Sequence, residues 1–451
     1  MDFYQLALKY KEEAIKMLDD VLRFETVLDE FKQESDAPFG QANKNCLEYF
    51  IKKAKEDGFV VSNADNYAID IKLGSGNKLL GILGHLDVVP ATGNWDSNPF
   101  IPTYKDGKIY ARGAIDDKGP VVASYIALKI LKDLNIEFKK EVKLILGCDE
   151  ESGSRCLEHY FKQHKLPDLG FSPDADFPLI YGEKAHLHVK ITGKVTNSII
   201  ESFHAGKRTN LVIDEACAVL KKDLKEEFYA FLDAKGYQGE VIDNKYITYG
   251  ISAHAMHPQK GLNACYIMME FLNTYDNSNV VRFINDKLLH DSFGKKMKID
   301  IYDEDMKELT MNLGVISIEQ DNLMLLLDLR VPLDSHEELL REKFTTATLD
   351  YQLECSDFTF QKRHYVSKDS NLVKTLMDSY VKYTNDYENK PFTIGGGTYA
   401  KFIPNAVAFG PLFPNREDVV HQVNEYIIIE DFIKCISIYA DAIYRLVVQC
   451  D

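Results

Sequence analysis

Apolar side chains recur at helical spacing between residues 3 and 34 (Phe3, Leu6, Ala7, Tyr10, Ala14, Met17, Leu18, Val21, Leu22), so the chain is predicted to open with helix. A second helix is predicted over Asn43–Lys55. Short apolar runs at Tyr67–Lys72 and Leu79–Leu83 predict strands, the second running into Gly84-His85. Lys118–Leu134 carries Val121, Val122, Tyr125, Ile126, Leu128, Ile130 and Leu131 as an amphipathic helix. Glu141–Leu146 then alternates Val142, Leu144 and Leu146 before Gly147-Cys148-Asp149-Glu150-Glu151. Strand, helix and strand in this order predict an α/β domain with a mostly parallel central sheet flanked by helices. Polar residues at the ends of its strands occupy the edge where open α/β sheets bind ligands.

The pattern changes over about 185–365. Alternating strands at His186–Ile191 and Asn322–Leu329 bracket helices predicted at Asn210–Leu220 and Asn263–Asn273, as in an α+β insertion on an antiparallel sheet. The α/β pattern resumes from about Ser370 with a helix (Leu372–Tyr383), a glycine cluster (Gly395–Gly397), a strand (Ala406–Phe409) and a closing helix (Ile429–Val448). The organisation expected is a discontinuous domain, 1–184 and 366–451, interrupted by an inserted α+β lid domain, 185–365. No short-period repeat or low-complexity stretch is present.

Charge narrows the function. With 53 Lys+Arg against 70 Asp+Glu, the net charge of −17 disfavours nucleic acid and anionic membranes as partners. The densest basic run, Lys287–Lys298, is interrupted by Asp291 and reads as solvated surface. No apolar run approaches the ~18 residues of a membrane span, and the N-terminal segment lacks the pattern of a signal peptide. A soluble, cytoplasmic protein is therefore expected. The eight cysteines, at 46, 148, 156, 217, 265, 355, 435 and 450, form no C-x-x-C pair and read as reduced thiols.

Candidate chemistry sits beside the apolar segments. In Gly84-His85-Leu86-Asp87, residues two apart at a strand end face one side, so an imidazole and a carboxylate can share a site. Asp116-Asp117 stands at the start of the amphipathic helix, where acids can cap the helix or bridge two cations. Glu150-Glu151 follows a strand, where one acid can bind metal and its neighbour can move a proton. Asp174, with Asp176 nearby, and His421 lie in turns. Singly, each of these segments is commonplace. Jointly, two His and three carboxylates make an N/O ligand set for two divalent ions.

These segments, with Trp95, Pro99-Phe100 and Arg112-Gly113-Ala114, come in order with short gaps. Together they resemble the di-metal aminoacylase/glutamate carboxypeptidase/dipeptidase family of metallopeptidases, most closely its dipeptidase V-like branch. The resemblance implies that His85, Asp116, Glu151, Asp174 and His421 are metal ligands, with Asp116 bridging and the Asp116–Asp117 peptide cis. It implies Asp87 as the orienter of His85 and Glu150 as general base. Within the insertion, Ser252-Ala253-His254-Ala255 resembles the family's lid segment, whose His polarises the scissile carbonyl or its oxyanion, which maps to His254. Arg330 resembles an arginine that binds the substrate carboxylate, a group suited to a guanidinium fork. Asn210, and a backbone N–H of the Gly395–Gly397 loop at Gly396, are expected to touch the same substrate.

The implied reaction is metal-dependent hydrolysis of a short peptide, a dipeptide above all, with two divalent ions, Zn or Mn, activating water and Glu150 moving its proton. The resemblance implies lid closure before the site is complete, and the long insertion favours a monomer with His254 acting in cis over a homodimer. An N-acyl-amino-acid deacylase is the alternative. A non-catalytic binding protein would lack a ligand or the base, and none is missing. Serine chemistry is disfavoured by the absence of a G-x-S-x-G elbow.

Overall fold

The computed structural model describes residues 1–448, so Cys450 lies outside the described residues. They form two compact units, each with its own hydrophobic core. The first comprises Met1–Gly182, Tyr365–Phe392 and the chain from Gly397 onward; the second comprises Glu183–His364 with the short run Thr393–Gly396.

In the first unit the opening helix is shorter than the apolar spacing predicts. It forms as Phe3–Lys9, capped by the Asp2 side chain on the Tyr4 and Gln5 N–H groups, and Lys11–Leu22. Beyond Leu22 the chain finds partners other than a helical turn. The Thr26 hydroxyl donates to the Leu86 carbonyl at 2.5 Å, and Val88 N–H donates to the Thr26 carbonyl at 3.1 Å. Tertiary hydrogen bonds thus end the helix where periodicity would extend it.

The first unit's sheet runs in the order Val60–Ala64, Ala68–Leu73, Glu141–Gly147, Leu79–His85, Leu169–Ser172, Ala406–Ala408, Ile180–Glu183. The four strands from Glu141–Gly147 to Ala406–Ala408 are mutually parallel. All seven residues of Leu79–His85 are buried, as expected of a parallel strand covered on both faces. The helix Lys118–Asp133 packs on this strand and on the closing helix Ile429–Val448. Gly84 permits that approach: a Cβ there would lie 2.5 Å from Val121 Cγ2 and 2.9 Å from Asp117 Oδ2. The parallel strands therefore end together, delivering His85, the Cys148–Glu151 turn and Asp174 to one edge.

The second unit is built on an eight-stranded sheet ordered Gln238–Ile242, Lys245–Tyr249, Glu215–Leu220, Ile200–Ala205, Thr310–Glu319, Asn322–Val331, Ala185–Lys194, Leu353–Gln361. Every pairing in it is antiparallel. Ala185–Lys194 buries Ala185, Leu187, Val189 and Ile191 and leaves His186, His188 and Lys190 half-buried, the period-two pattern of a one-sided sheet. Ala264–Leu272, capped by Asn263, packs against two of these strands, and Glu337–Leu349 packs against Leu353–Gln361.

One predicted helix is corrected. Asn210–Leu220 is not helical: Glu215–Leu220 is a strand between Ile200–Ala205 and Lys245–Tyr249. Ala216, Ala218 and Leu220 are buried while Cys217 and Val219 are half-buried, so period two prevails over a segment whose small residues also fit a helix.

The cysteines at 46, 148, 156, 217, 265, 355 and 435 are free thiols, with Cys217 and Cys355 half-buried and the others buried. No helix among the described residues is long and apolar enough to cross a membrane.

Candidate metal centre

His85 closes its strand almost wholly buried. Its Nε2 lies 3.0 Å from Asp116 Oδ1 and 3.5 Å from Asp174 Oδ2. Its Nδ1 lies 2.9 Å from the Asp87 carbonyl oxygen and 3.5 Å from the Asp87 carboxylate. The backbone carbonyl, more than the carboxylate, thus orients the ring. The Asp87 carboxylate instead accepts the N–H groups of Glu150 and Glu151, both at 3.1 Å, and so fixes the turn after the neighbouring strand.

Asp116 faces two ways. Its second oxygen lies 3.0 Å from His421 Nε2, which in turn lies 2.9 Å from Glu151 Oε1. Two triads result, His85–Asp116–Asp174 and Asp116–Glu151–His421, and within each the donor atoms lie within 4.8 Å of one another, close enough to hold a metal ion. Asp116 belongs to both. The Asp116–Asp117 peptide is cis. Asp117 stands at the N-cap position of the helix without capping it through its side chain: one oxygen accepts the His85 backbone N–H at 3.1 Å, and the other is buried without a hydrogen-bond partner among the described residues.

The electrostatics mark a surplus of carboxylates. Burial, reinforced by neighbouring acids, raises Asp174, Glu150, Glu151 and Asp117 above the usual carboxylate range. Burial disfavours charged His85, yet Asp174, Asp116 and Asp87 hold it well above its ordinary value. His421 is likewise disfavoured by burial but raised to about 11 by Asp116 and Glu151. Burial opposes ionisation of Asp116, but hydrogen bonds from His421 and His85 carry it far below the usual range. Two nitrogens and a set of buried oxygens in excess of them suit a pair of divalent cations, which would take the place of the two imidazole protons.

The family description "Peptidase family M20/M25/M40" matches residues 81–445, well over half of the chain. The chain belongs to this family. It is a metallopeptidase of the M20 group, and peptides are its substrate class. A Bacillus subtilis (strain 168) protein named "Putative dipeptidase YtjP" is 38% identical over 97% of this chain and 98% of its own length. A Staphylococcus aureus (strain USA300) protein described as a dipeptidase in the same words is also 38% identical, over 98% of each chain. Among solved structures, human carnosine dipeptidase 1 matches with a TM-score of 0.59 at 16% identity, covering 99% of both chains. The Saccharomyces cerevisiae di-peptidase Dug1p matches with a TM-score of 0.60 at 14% identity, again over 99% of both. Bacillus subtilis YXEP, described as a dinuclear metal binding peptidase of the M20 family, matches with a TM-score of 0.55 at 9% identity, over 98% of this chain and 99% of its own.

In this M20 chain, neighbours of the expected ligands have structural work. Asp149 is held by Arg155 through bonds of 2.7 and 2.5 Å, which closes the turn carrying Glu150 and Glu151. Asp176 belongs to neither triad; burial, then repulsion from Asp418, raises it to about 6. Two residues without an assigned role prove central to the loops: Glu425 is fully buried and paired with the buried Arg112 at 2.7 Å. Both stand in the motif segments, four positions from His421 and Asp116 respectively, and that spacing is the signal for them.

The remaining expected residues lie in the second unit. Arg330 is buried, with Nε and Nη2 on the two Asp328 oxygens at 2.7 and 2.9 Å. Its Nη1 donates to the Gly395 carbonyl at 2.9 Å and lies 2.6 Å from His186 Nε2, across the strand pair. His254 and Asn210 are exposed on adjoining segments: Leu211 bridges His254, and the Asn210 carbonyl accepts Ala255 N–H at 2.9 Å. His254 Nδ1 accepts Met256 N–H at 3.1 Å, which points to a proton on Nε2. A Cβ on Gly396 would meet only Ile394, at 3.4 Å, so this backbone is open to approach.

Proposed function

We propose that the protein is a dipeptidase whose first unit is catalytic and whose second is a lid domain. The observation that carries the reading is the pair of triads sharing Asp116, with Glu150 held beside them by Asp87. The whole-length likeness to relatives described as dipeptidases supports the substrate size. His85, Asp116 and Asp174 would hold one ion and Asp116, Glu151 and His421 the other, Zn or Mn. Bound there, two such ions lower the pKa of water and polarise a carbonyl.

The chain's own groups complete the reaction. Glu150, with a carboxyl raised by burial, takes the proton of the attacking water and delivers it to the leaving amine. His254, protonated on Nε2, donates to the oxyanion. Arg330 receives the C-terminal carboxylate, assisted by Asn210 and the Gly396 N–H. Because Asp328 occupies the Nε–Nη2 edge of the guanidinium and Gly395 and His186 face Nη1, the substrate carboxylate would meet the outer N–H of Nη2.

The test is amino-acid release by metal-stripped protein with Zn2+ or Mn2+ restored. The panel is a free dipeptide, its N-acetylated form, an N-acetyl amino acid and a tripeptide. Metal-dependent cleavage confined to the free dipeptide is expected. Preference for the N-acetyl amino acid would overturn the dipeptidase reading in favour of deacylation.

A further inference from the structure

We propose that Glu425 is a positioning residue that clamps the Asp116 loop to the His421 loop and thereby sets the affinity of the Asp116–Glu151–His421 triad for its ion. The proposal rests on the two-ion reading above. Glu425 is fully buried and its carboxylate takes four donors. Oε2 accepts Arg112 Nη1 at 2.7 Å and Gly113 N–H at 3.1 Å. Oε1 accepts the N–H groups of Ile115 at 3.0 Å and Asp116 at 3.2 Å. One side chain thus grips the backbone up to the shared ligand itself.

The same unit reaches His421. Arg112 Nη2 donates to the His421 carbonyl at 3.4 Å, and the Glu425 carbonyl accepts Ala111 N–H at 3.1 Å. Asn424 Oδ1 accepts Asp96 N–H at 3.0 Å, and Trp95 lies under the Arg112 guanidinium at 5.1 Å. His421 and Asn424 both have left-handed backbones, φ 62° and 58°, a conformation uncommon among non-glycine residues and found chiefly at Asn, Asp and His. No strand or helix contains His421, and its side chain is half exposed. His85 instead ends one central strand and Asp174 follows another, and neither is bonded to Glu425. Loosening the clamp should therefore weaken the Asp116–Glu151–His421 triad, which has two ligands on clamped loops, more than the other, which has only Asp116 there.

The variants are Glu425→Gln and the double variant Arg112→Met/Glu425→Gln, which leaves no unpaired buried charge if the single change unfolds the protein. Gln can accept the Ile115 and Asp116 N–H groups, but its amide nitrogen then faces Gly113 N–H, donor against donor. Zn2+ is titrated calorimetrically into the metal-stripped full-length protein, and amide hydrogen exchange is read on the same metal-free protein. Wild type is expected to bind two ions. The variants are expected to bind the weaker one about 10–100-fold less tightly, the usual cost of losing a group that orients a ligand. Affinity for the other ion, whose triad shares Asp116, should fall by less, and exchange should quicken over 113–116 and 419–424 but not over 79–85. Unchanged binding of both ions, or equal weakening of both, overturns the clamp. A wild type that binds one ion overturns the two-ion reading instead; exchange then decides the clamp, faster exchange in the two loops supporting it and unchanged exchange overturning it.

Discussion

The two sheets place their polar residues in opposite ways. In the first unit the parallel strands are buried over the stretch that runs up to the site, and the chemistry begins where they end, at His85, Asp87, Glu150, Glu151 and Asp174. In the second unit polar residues stand within the strands, where Arg330, Asp328 and His186 meet across an antiparallel register. A strand end is visible in sequence because the apolar run stops there. A cross-strand pair is not, because two residues 144 positions apart meet only once register is set. The contrast also predicts how substitutions fail: at strand ends they should remove chemistry, and on the second sheet they should shift binding.

The largest effect is expected for Asp116→Asn. This residue serves both triads, so peptidase activity should fall to background and metal analysis should show loss of both ions. Retention of two ions would break the shared-ligand assignment. Glu150→Gln should lower kcat by about 10²–10⁴, the range for general acid–base groups, while metal content stays at wild type. Next comes the second sheet: Arg330→Lys should lower kcat/KM for a dipeptide by about 10–100-fold, chiefly through KM, because a point charge cannot replace the fork held by Asp328. A loss confined to kcat would erase the contrast between the sheets.

Gly84→Ala places a Cβ against Val121 and Asp117, so a loss of about 1–3 kcal/mol is expected, measurable as a lowered denaturant midpoint. The smallest effect is predicted for His186→Ala. It removes one partner of Arg330 while Asp328 and Gly395 remain, and KM should rise less than about tenfold, as for one net hydrogen bond.

Legibility followed the same division. The closing helix Ile429–Val448 has the predicted ends, and Lys118–Asp133 and Glu141–Gly147 differ from prediction by one residue each, since their apolar periods are long or strongly alternating. Periodicity overextends the opening helix because Thr26 and Val88 are hydrogen-bonded to each other, a contact no apolar spacing records. Asn210–Leu220 is ambiguous in sequence because Ala, Cys and Val fit either period until neighbouring strands choose one. At the site, the segments of His85, Asp116, Glu150, Glu151, Asp174 and His421 were recognisable as motifs. The division of labour at Asp87, whose carbonyl faces His85 while its carboxylate holds the next turn, was not.

By itself the sequence determined which groups are present and which local segments carry them, because apolar period, strand-end acids and loop histidines are encoded within a few neighbouring positions. Only the tertiary structure decided which of those groups meet. Asp116 joins two imidazoles 336 positions apart, and Glu425 grips a loop more than 300 positions before it. Such pairings depend on the order of strands in a sheet and on buried charges finding partners, and both are settled by packing the whole unit.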